Sequence, residues 1–415
     1  MKEREGRTTV KKNTLKKALA CTGMILLTGC FAACAPRDLQ RGYPSIVPDE
    51  EEKPAVSTWG PFVIEPEAAL RPVPWSAIEA WPQEDPRPAL GVFLQSCESL
   101  SRRNAWAGVC SAARLSDSQD REAVRQFFEE YFIPHQATTD TGGDRGLITG
   151  YYVPDLIGSR IATERFRYPV YGRPDDLVVV DLGDIYPDLS HHGLRGRLQG
   201  QRLVPYWTRG QIDSGEADLP APVLCYVEDP VDLFFLHVQG SGRITLTDGT
   251  VMLLNYADQN GHPYVSIGRL LLDRGAMKPH QMSMDNIRDW GQQNPHKVLT
   301  LLKENPRYVF FRTLPGDWHM PPGAQGIPLT SGYSLAVDPR TTPLGAPVFL
   351  STTWPNSDRP LHRLMVAQDT GGAIKGPVRA DFFWGMGDRA GALAGRMKQE
   401  GRMWVLLPRE SLPQH

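Results

Sequence analysis

Apolar positions recur every three or four residues in two early stretches of the chain. One surrounds Leu90 to Leu100, and the other runs from Asp120 to Phe132, where Val124, Phe127, Phe128, Tyr131 and Phe132 line one side. This spacing predicts amphipathic helices that pack against a β core. From Leu147 to about Tyr264 the runs become short and turn-bounded: LVVVDL, RLVPYW, LCYV, LFFLHVQG and RITLTDGTVMLL. They predict a β-rich block, with Asp248-Gly249 as a hairpin turn. Within it, LFFLHVQGSGRI at 233–244 reads as a strand entering a Gly-Ser-Gly turn. Helices are expected next at Ile267 to Arg274, stopped by Gly275, at Met284 to Trp290, and at Lys297 to Leu302 ahead of Asn305-Pro306. Short strands then return as SLAVDP, APVFL, LHRLMVAQDTGGAIKG, ADFFWG and MWVLLP, a pattern that suits a small six-stranded barrel. The pattern leaves open whether the barrel closes and which earlier strands complete it.

The N-terminus changes the picture. Lys2, Arg4, Arg7, Lys11, Lys12, Lys16 and Lys17 precede an uncharged stretch from Ala18 to Pro36, too short and too interrupted for a membrane span. This is an export signal. Leu27-Thr28-Gly29-Cys30 resembles the lipobox of bacterial lipoproteins, in which the cysteine is acylated and becomes the first mature residue. Cys34 is a second lipidation candidate, and a plain signal peptide cut near Ala33 or Ala35 is the alternative. Phe31 stands where an Asp would signal inner-membrane retention, so anchoring at the periplasmic face of the outer membrane is expected. Residues 1–29 are the expected signal and 30–60, rich in Pro, Glu and Asp, a flexible tether.

Export also sets the reading of charge and thiols. Residues 1–29 hold seven basic and two acidic groups, so 38 basic and 45 acidic groups remain, and no basic stripe points to nucleic acid. With 39 Gly and 36 Pro in 415 residues, a turn-rich β architecture is favoured over a helical bundle. An oxidising compartment predicts a disulfide between Cys97 and Cys110, and leaves Cys225, in PVLCYV, as an inert buried thiol. His191 and His192 are adjacent and the other histidines scattered, so neither a metal nor a cofactor is expected.

Three clusters could carry chemistry. VAQDTGGAIKGPVRADFFWGMGD at 366–388 holds Asp369 and Asp381 in Gly-rich, apolar surroundings. The aromatic neighbours Phe382, Phe383 and Trp384 offer Asp381 a route to a raised pKa by desolvation, and hence to general-acid work, although an Asp in such a segment also serves as a turn residue. In the 233–244 segment, Gln239 and the backbone N–H groups of Gly240 to Gly242 could bond sugar hydroxyl or N-acetyl groups. An ordinary tight turn is the plainer reading. Ser241 lacks the glycine spacing of a nucleophile elbow, and no Lys-Ser/Thr follows for a phosphate loop. LITGYYVPDL at 147–156 places Thr149, Tyr151 and Tyr152 beside a Gly bend, suited to stacking on sugars or to core packing.

These clusters, with YADQNGHPYVSIG at 256–268, NPRYVFF at 305–311, VDPRTTPLG at 337–345 and GRMWVLLP at 401–408, resemble the MltA lytic transglycosylases over about Gly146 to Leu407. The resemblance implies a mainly β protein with flanking helices, in which a double-psi β-barrel (61–153 and 315–415) is interrupted by a second β-rich domain (154–314), with a glycan groove between them. It implies a peptidoglycan lytic exotransglycosylase that cuts the β-1,4 bond between N-acetylmuramic acid and N-acetylglucosamine without water, giving 1,6-anhydromuramoyl products. Nothing in the residues themselves sets endo against exo action. It further implies Asp381 as the catalytic residue, Asp369 as its acidic support, and Thr149, Tyr151, Gln239, Gly240, Ser241, Gly371, Gly372, Ala373 and Lys375 as groove residues. Where family members often have His-Phe-Asp, this chain has Arg379-Ala380-Asp381. The expected partners are glycan strands and, through a lipid, the outer membrane. A monomer is the expected state, and wall-synthesis complexes are left open. The competing readings are a two-carboxylate hydrolase and a wall-binding lipoprotein without activity.

Overall fold

The computed structural model describes residues 70–186 and 193–409. The export segment, the tether, Cys30, Cys34 and the His191-His192 pair lie outside the described residues.

Six strands close on themselves. In hydrogen-bonded order they are Lys398–Pro408, Pro347–Thr353, Pro360–Thr370, Ser334–Val337, Ala380–Met386 and Gly146–Val153, and the last pairs back onto the first. The strand completing the barrel is thus Gly146–Val153, from the far side of a long insertion. Closure removes the exposed edges that an open sheet of this composition would carry. Two of the pairings are parallel, Ser334–Val337 with Pro360–Thr370 and Ala380–Met386 with Gly146–Val153. Leu70–Pro72 and Phe132–Ala137 extend the sheet beyond Lys398–Pro408.

The main core joins the barrel to three helices. Arg87–Leu100 and Arg121–Tyr131 fall on the two periodic stretches, and Asp120 caps the latter by accepting from the backbone N–H of Glu122 and Ala123. Between them lies Asn104–Leu115, a helix the apolar spacing did not reveal, joined to Arg87–Leu100 by a Cys97–Cys110 disulfide. Phe93, Phe127, Phe128 and Phe132 form a mutually packed aromatic cluster over the barrel.

A six-stranded sheet occupies the middle of the chain, in the order Val309–Thr313, Val251–Gln259, Ser241–Leu246, Asp155–Ser159, Val223–Val227 and Tyr168–Tyr171. The Asp248-Gly249 hairpin joins Ser241–Leu246 to Val251–Gln259, with Gly249 at φ 83°. Helices Ile267–Asp273, Met284–Gln293 and Pro295–Lys303 pack their apolar faces together beside it. Two expectations fail here. LFFLHVQ is not a strand but most of the helix Pro230–Gln239, and LVVVDL contributes only the two-residue strand Val178–Val179. A short apolar run has no period that separates strand from helix. The deciding signal was just upstream, where Asp229 accepts from the N–H groups of Val231 and Asp232 and Pro230 occupies the first turn.

Candidate active site

The alternation of a strand sorts the site residues. On Ala380–Met386, Ala380 and Phe382 point into the main core, while Asp381 and Phe383 face the other side. The aromatic neighbours therefore do not wrap Asp381 as their adjacency suggests, because Phe382 lies on the opposite face. Phe383 packs beside Tyr151 with ring centroids 5.0 Å apart. Register places Thr149 directly across from Asp381 on one side and Ala336 on the other, and Ala336 in turn pairs with Asp369. Lys398, Thr149, Asp381, Ala336 and Asp369 thus form one row over five adjacent strands. Ordinary strand spacing puts the two acidic Cα atoms roughly 9–10 Å apart, with only a methyl group between them.

Asp369 reaches that row through a β-bulge. The pairing of Ser334–Val337 with Pro360–Thr370 shifts register between Leu335 and Ala336, which leaves Gln368 as the extra residue. Without the bulge Gln368 would face the site and Asp369 the core. Instead the Gln368 amide is buried, donating to Ser96 Oγ at 2.9 Å and accepting from Ser334 Oγ at 2.6 Å. The adjoining loop is pinned to the same helix, because Gln325 bonds Ser96 and Ser99. Ala324 and Thr370 each donate a backbone N–H to Asp369 Oδ1 at 2.9 Å. Gly323 is required here, since a Cβ would lie 2.4 Å from the Gln368 carbonyl oxygen.

The two carboxyls differ in environment. Burial raises Asp369 to about 6, against the pull of its two backbone donors and of Tyr151, with the charge of Asp381 adding to the rise. Asp381 Oδ1 accepts from Thr149 Oγ1 and, at 2.7 Å, from Arg379 Nη1. Among the described residues Oδ2 has no such partner. Tyr151 lies close to both acids, and burial followed by their charges lifts its phenol well above the usual range. Its hydroxyl is buried without a well-formed hydrogen bond.

Thr149, Tyr151, Asp369 and Asp381 therefore converge. Gln239 lies one step away, its Oε1 accepting from Tyr152 N at 3.1 Å. Gly240 ends the helix at φ 76° and sits against Tyr256, while Ser241 is buried in the strand pairing with Asn255. Gly371, Gly372 and Ala373 form the turn after Asp369, and Gly372 lies against the Arg307 guanidinium. Lys375 is exposed and makes no hydrogen bond or ion pair among the described residues, so it does not join the acids.

Asp338 and Arg379 were not singled out as site residues by sequence. Asp338 accepts from Arg340 through both oxygens and from Gly376 N at 2.8 Å, tying VDPRTTPLG to the end of DTGGAIKG. Burial opposes its charge, but these donors outweigh that and hold its carboxyl below the usual range. Arg379 stands two residues before Asp381, the same-face spacing of a strand, which is the signal that could have found it.

Two carboxyls in unequal environments, fixed on a rigid barrel wall beside a glycine turn and a buried tyrosine, form an arrangement able to carry acid/base chemistry of the kind that glycosidic bonds require. The "MltA specific insert domain" family matches residues 147–312, and the "3D domain" matches 333–407. The chain is 41% identical to MltA of Neisseria gonorrhoeae, whose crystal structure aligns with a TM-score of 0.72 over 83% of this chain and 94% of that one. Escherichia coli MltA with bound chitohexaose aligns at 28% identity and a TM-score of 0.60, over 78% and 90% of the two chains. The membrane-bound lytic murein transglycosylase A of Escherichia coli strain K12 is 36% identical over 265 residues, which span 62% of this chain and 64% of that relative. The chain belongs to the MltA family.

Proposed function

We propose that the protein is a lytic transglycosylase of peptidoglycan, cutting the β-1,4 bond between N-acetylmuramic acid and N-acetylglucosamine and leaving a 1,6-anhydromuramoyl end. The observation that carries this reading is the asymmetric seating of Asp381. Thr149 and Arg379 both hold Oδ1, which leaves Oδ2 to handle a proton. Protonated Asp381 donates to the glycosidic oxygen as the bond from C1 to that oxygen breaks. The carboxylate then takes the proton of the muramoyl C6 hydroxyl as O6 bonds C1, so Asp381 ends as it began and no water is consumed. A positioned acid/base of this kind contributes about 10²–10⁴-fold. Asp369 supports the positive charge that develops at the sugar. Gln239, Gly240 and Ser241, on the inserted sheet and its helix, form the far wall of the groove, and Gly371, Gly372, Ala373 and Lys375 form its rim.

The hydrolase alternative requires Asp369 to activate a water. Its Oδ1 is instead committed to two backbone donors, and its carboxyl is desolvated. That arrangement favours a supporting role. Digestion of purified sacculi followed by mass spectrometry of the muropeptides tests the proposal. Products one water lighter than hydrolytic ones are expected, and reducing ends would overturn it. Asp381→Asn is expected to lower the rate by about 10²–10⁴-fold.

The placement of the enzyme belongs to the same reading. Among the described residues no helix is long and apolar enough to cross a membrane. We infer a lipid anchor at Cys30 or Cys34, on the periplasmic face of the outer membrane, and the name "membrane-bound" carried by the relatives supports membrane association.

A further inference from the structure

Arg307 stands out in the inserted lobe as a largely desolvated cation with no anion of its own. Its backbone is locked: its N donates to Asn305 Oδ1, and its carbonyl accepts from the buried Arg209 at 3.1 Å. The guanidinium, however, makes no hydrogen bond or ion pair among the described residues. Burial is the main influence on it and lowers its pKa; the Tyr256 phenol beside it acts the other way, and the remaining neighbour is another arginine, Arg195, which adds to the lowering. Arg195 is neutralised by Asp258, which it shares with Arg173 at 2.9 and 3.2 Å. Two guanidinium groups therefore share one carboxylate, and Arg307, beside one of them, is left without an anion.

Its position gives that unpaired charge a use. Nη2, Nη1 and Cζ lie 3.2, 3.3 and 3.4 Å from where a Cβ of Gly372 would stand. The planar group thus rests on the turn that follows Asp369, and the absence of a side chain at Gly372 makes room for it. Asp369 does not consume the charge, because the groups that act on its carboxyl are Thr370, Ala324, Tyr151 and Asp381. A buried guanidinium is costly when unpaired, and its forked donors match a carboxylate.

We propose that Arg307 is a specificity-determining residue that binds a carboxylate carried by the muramoyl unit of the glycan. This rests on the peptidoglycan reading above. The muramoyl residue differs from N-acetylglucosamine by a lactyl ether, whose carboxyl is free on peptide-stripped strands and amide-linked on strands with stem peptides, where the stem supplies carboxylates instead. Both sources present the same group to the guanidinium.

The test measures binding in the Asp381→Asn background, so that turnover does not enter. Peptide-stripped strands, the same strands with their lactyl carboxyls amidated, and stem-bearing strands are titrated calorimetrically against protein with Arg307 intact, with Arg307→Ala and with Arg307→Lys. With Arg307 intact, carboxylate strands should bind roughly 10- to 100-fold more tightly than amidated ones. Arg307→Ala should bring that ratio close to one, with an unchanged melting temperature showing that the fold is retained, and Arg307→Lys should restore part of it. Preference for the stripped acid identifies the lactyl carboxylate, and preference confined to stem-bearing strands identifies the stem. A ratio that survives Arg307→Ala, or no preference with Arg307 intact, overturns the proposal. Failure of every strand to bind would instead overturn the peptidoglycan reading itself.

Discussion

Two acids that meet the same strand, Pro360–Thr370, share one property at the residue scale. Burial lifts Asp369 to about 6 and Glu84 to about 7, the latter despite the Leu364 N–H it accepts and the nearby Arg363. A carboxyl whose folded pKa is raised binds its proton more tightly in the native state. Its stabilising effect is complete below the unfolded value near 4 and is lost as pH rises through 6 to 7. Glu84→Gln keeps the acceptor for Leu364 and cannot ionise. It is expected to raise stability at pH 7.5 by on the order of 2 kcal/mol, seen as a higher melting temperature, and to flatten the fall in stability between pH 5 and 7.5. Melting curves of both proteins at the two pH values check this. At the site, Thr149→Val removes one of the two donors that orient Asp381. A loss of about 10- to 100-fold in kcat with little change in KM is expected, recovered by Thr149→Ser. An equal rise in KM would mean that the hydroxyl binds substrate instead.

Single elements decide where those residues stand. The bulge at Gln368 turns Asp369 toward the site, and Gly323 lies against the carbonyl of that bulge. Gly323→Ala is accordingly expected to displace the 321–329 loop and to lower activity more than stability, a difference that paired kinetic and melting measurements resolve. The helix pair behind the bulge is stapled by Cys97–Cys110 across a sequence separation of 13 residues. Replacing both cysteines by alanine should cost about 2–4 kcal/mol, readable in denaturant unfolding. Legibility varied for reasons visible at this scale. Arg121–Tyr131 could be read because Val124, Phe127, Phe128 and Tyr131 recur at helical spacing on one face. The Asp248-Gly249 hairpin could be read because its turn needs a positive φ. Pro230–Gln239 misled because an apolar run buried on most sides has no contrasting face, although its Asp-Pro start was available. Asn104–Leu115 was hidden by its alanines and glycine, which weaken the contrast between faces. Asp369 and Asp381 were nominated by type, but their common row depends on a bulge that no local pattern announces. The opposite contribution of Arg307 lies in a different lobe, where only the folded chain brings it to Gly372.

Across the whole molecule, the row of site residues is drawn from segments separated by the entire inserted lobe. Thr149 precedes that lobe, and Ala336, Asp369, Asp381 and Lys398 follow it. The lobe is held to the barrel by short links, among them the Gln239 bond to Tyr152 N and the bond that Asn255 Nδ2 donates to the Pro322 carbonyl. Contacts of such long sequence separation make folding slow, because loop closure must precede the pairing that rewards it. The strand Lys398–Pro408 has a particular part in this, since it pairs with Gly146–Val153 and Pro347–Thr353 and so turns an open sheet into a barrel. Until it docks, the strand that carries Thr149 has only Ala380–Met386 as a neighbour, and the hydroxyl bonded to Asp381 stands on an open edge. A copy clipped ahead of this strand would carry both acids and yet lack the closed frame that holds their row together. On the proposed reading that dependence acts as a safety catch, since the target is the mesh that keeps the protein's own cell from bursting.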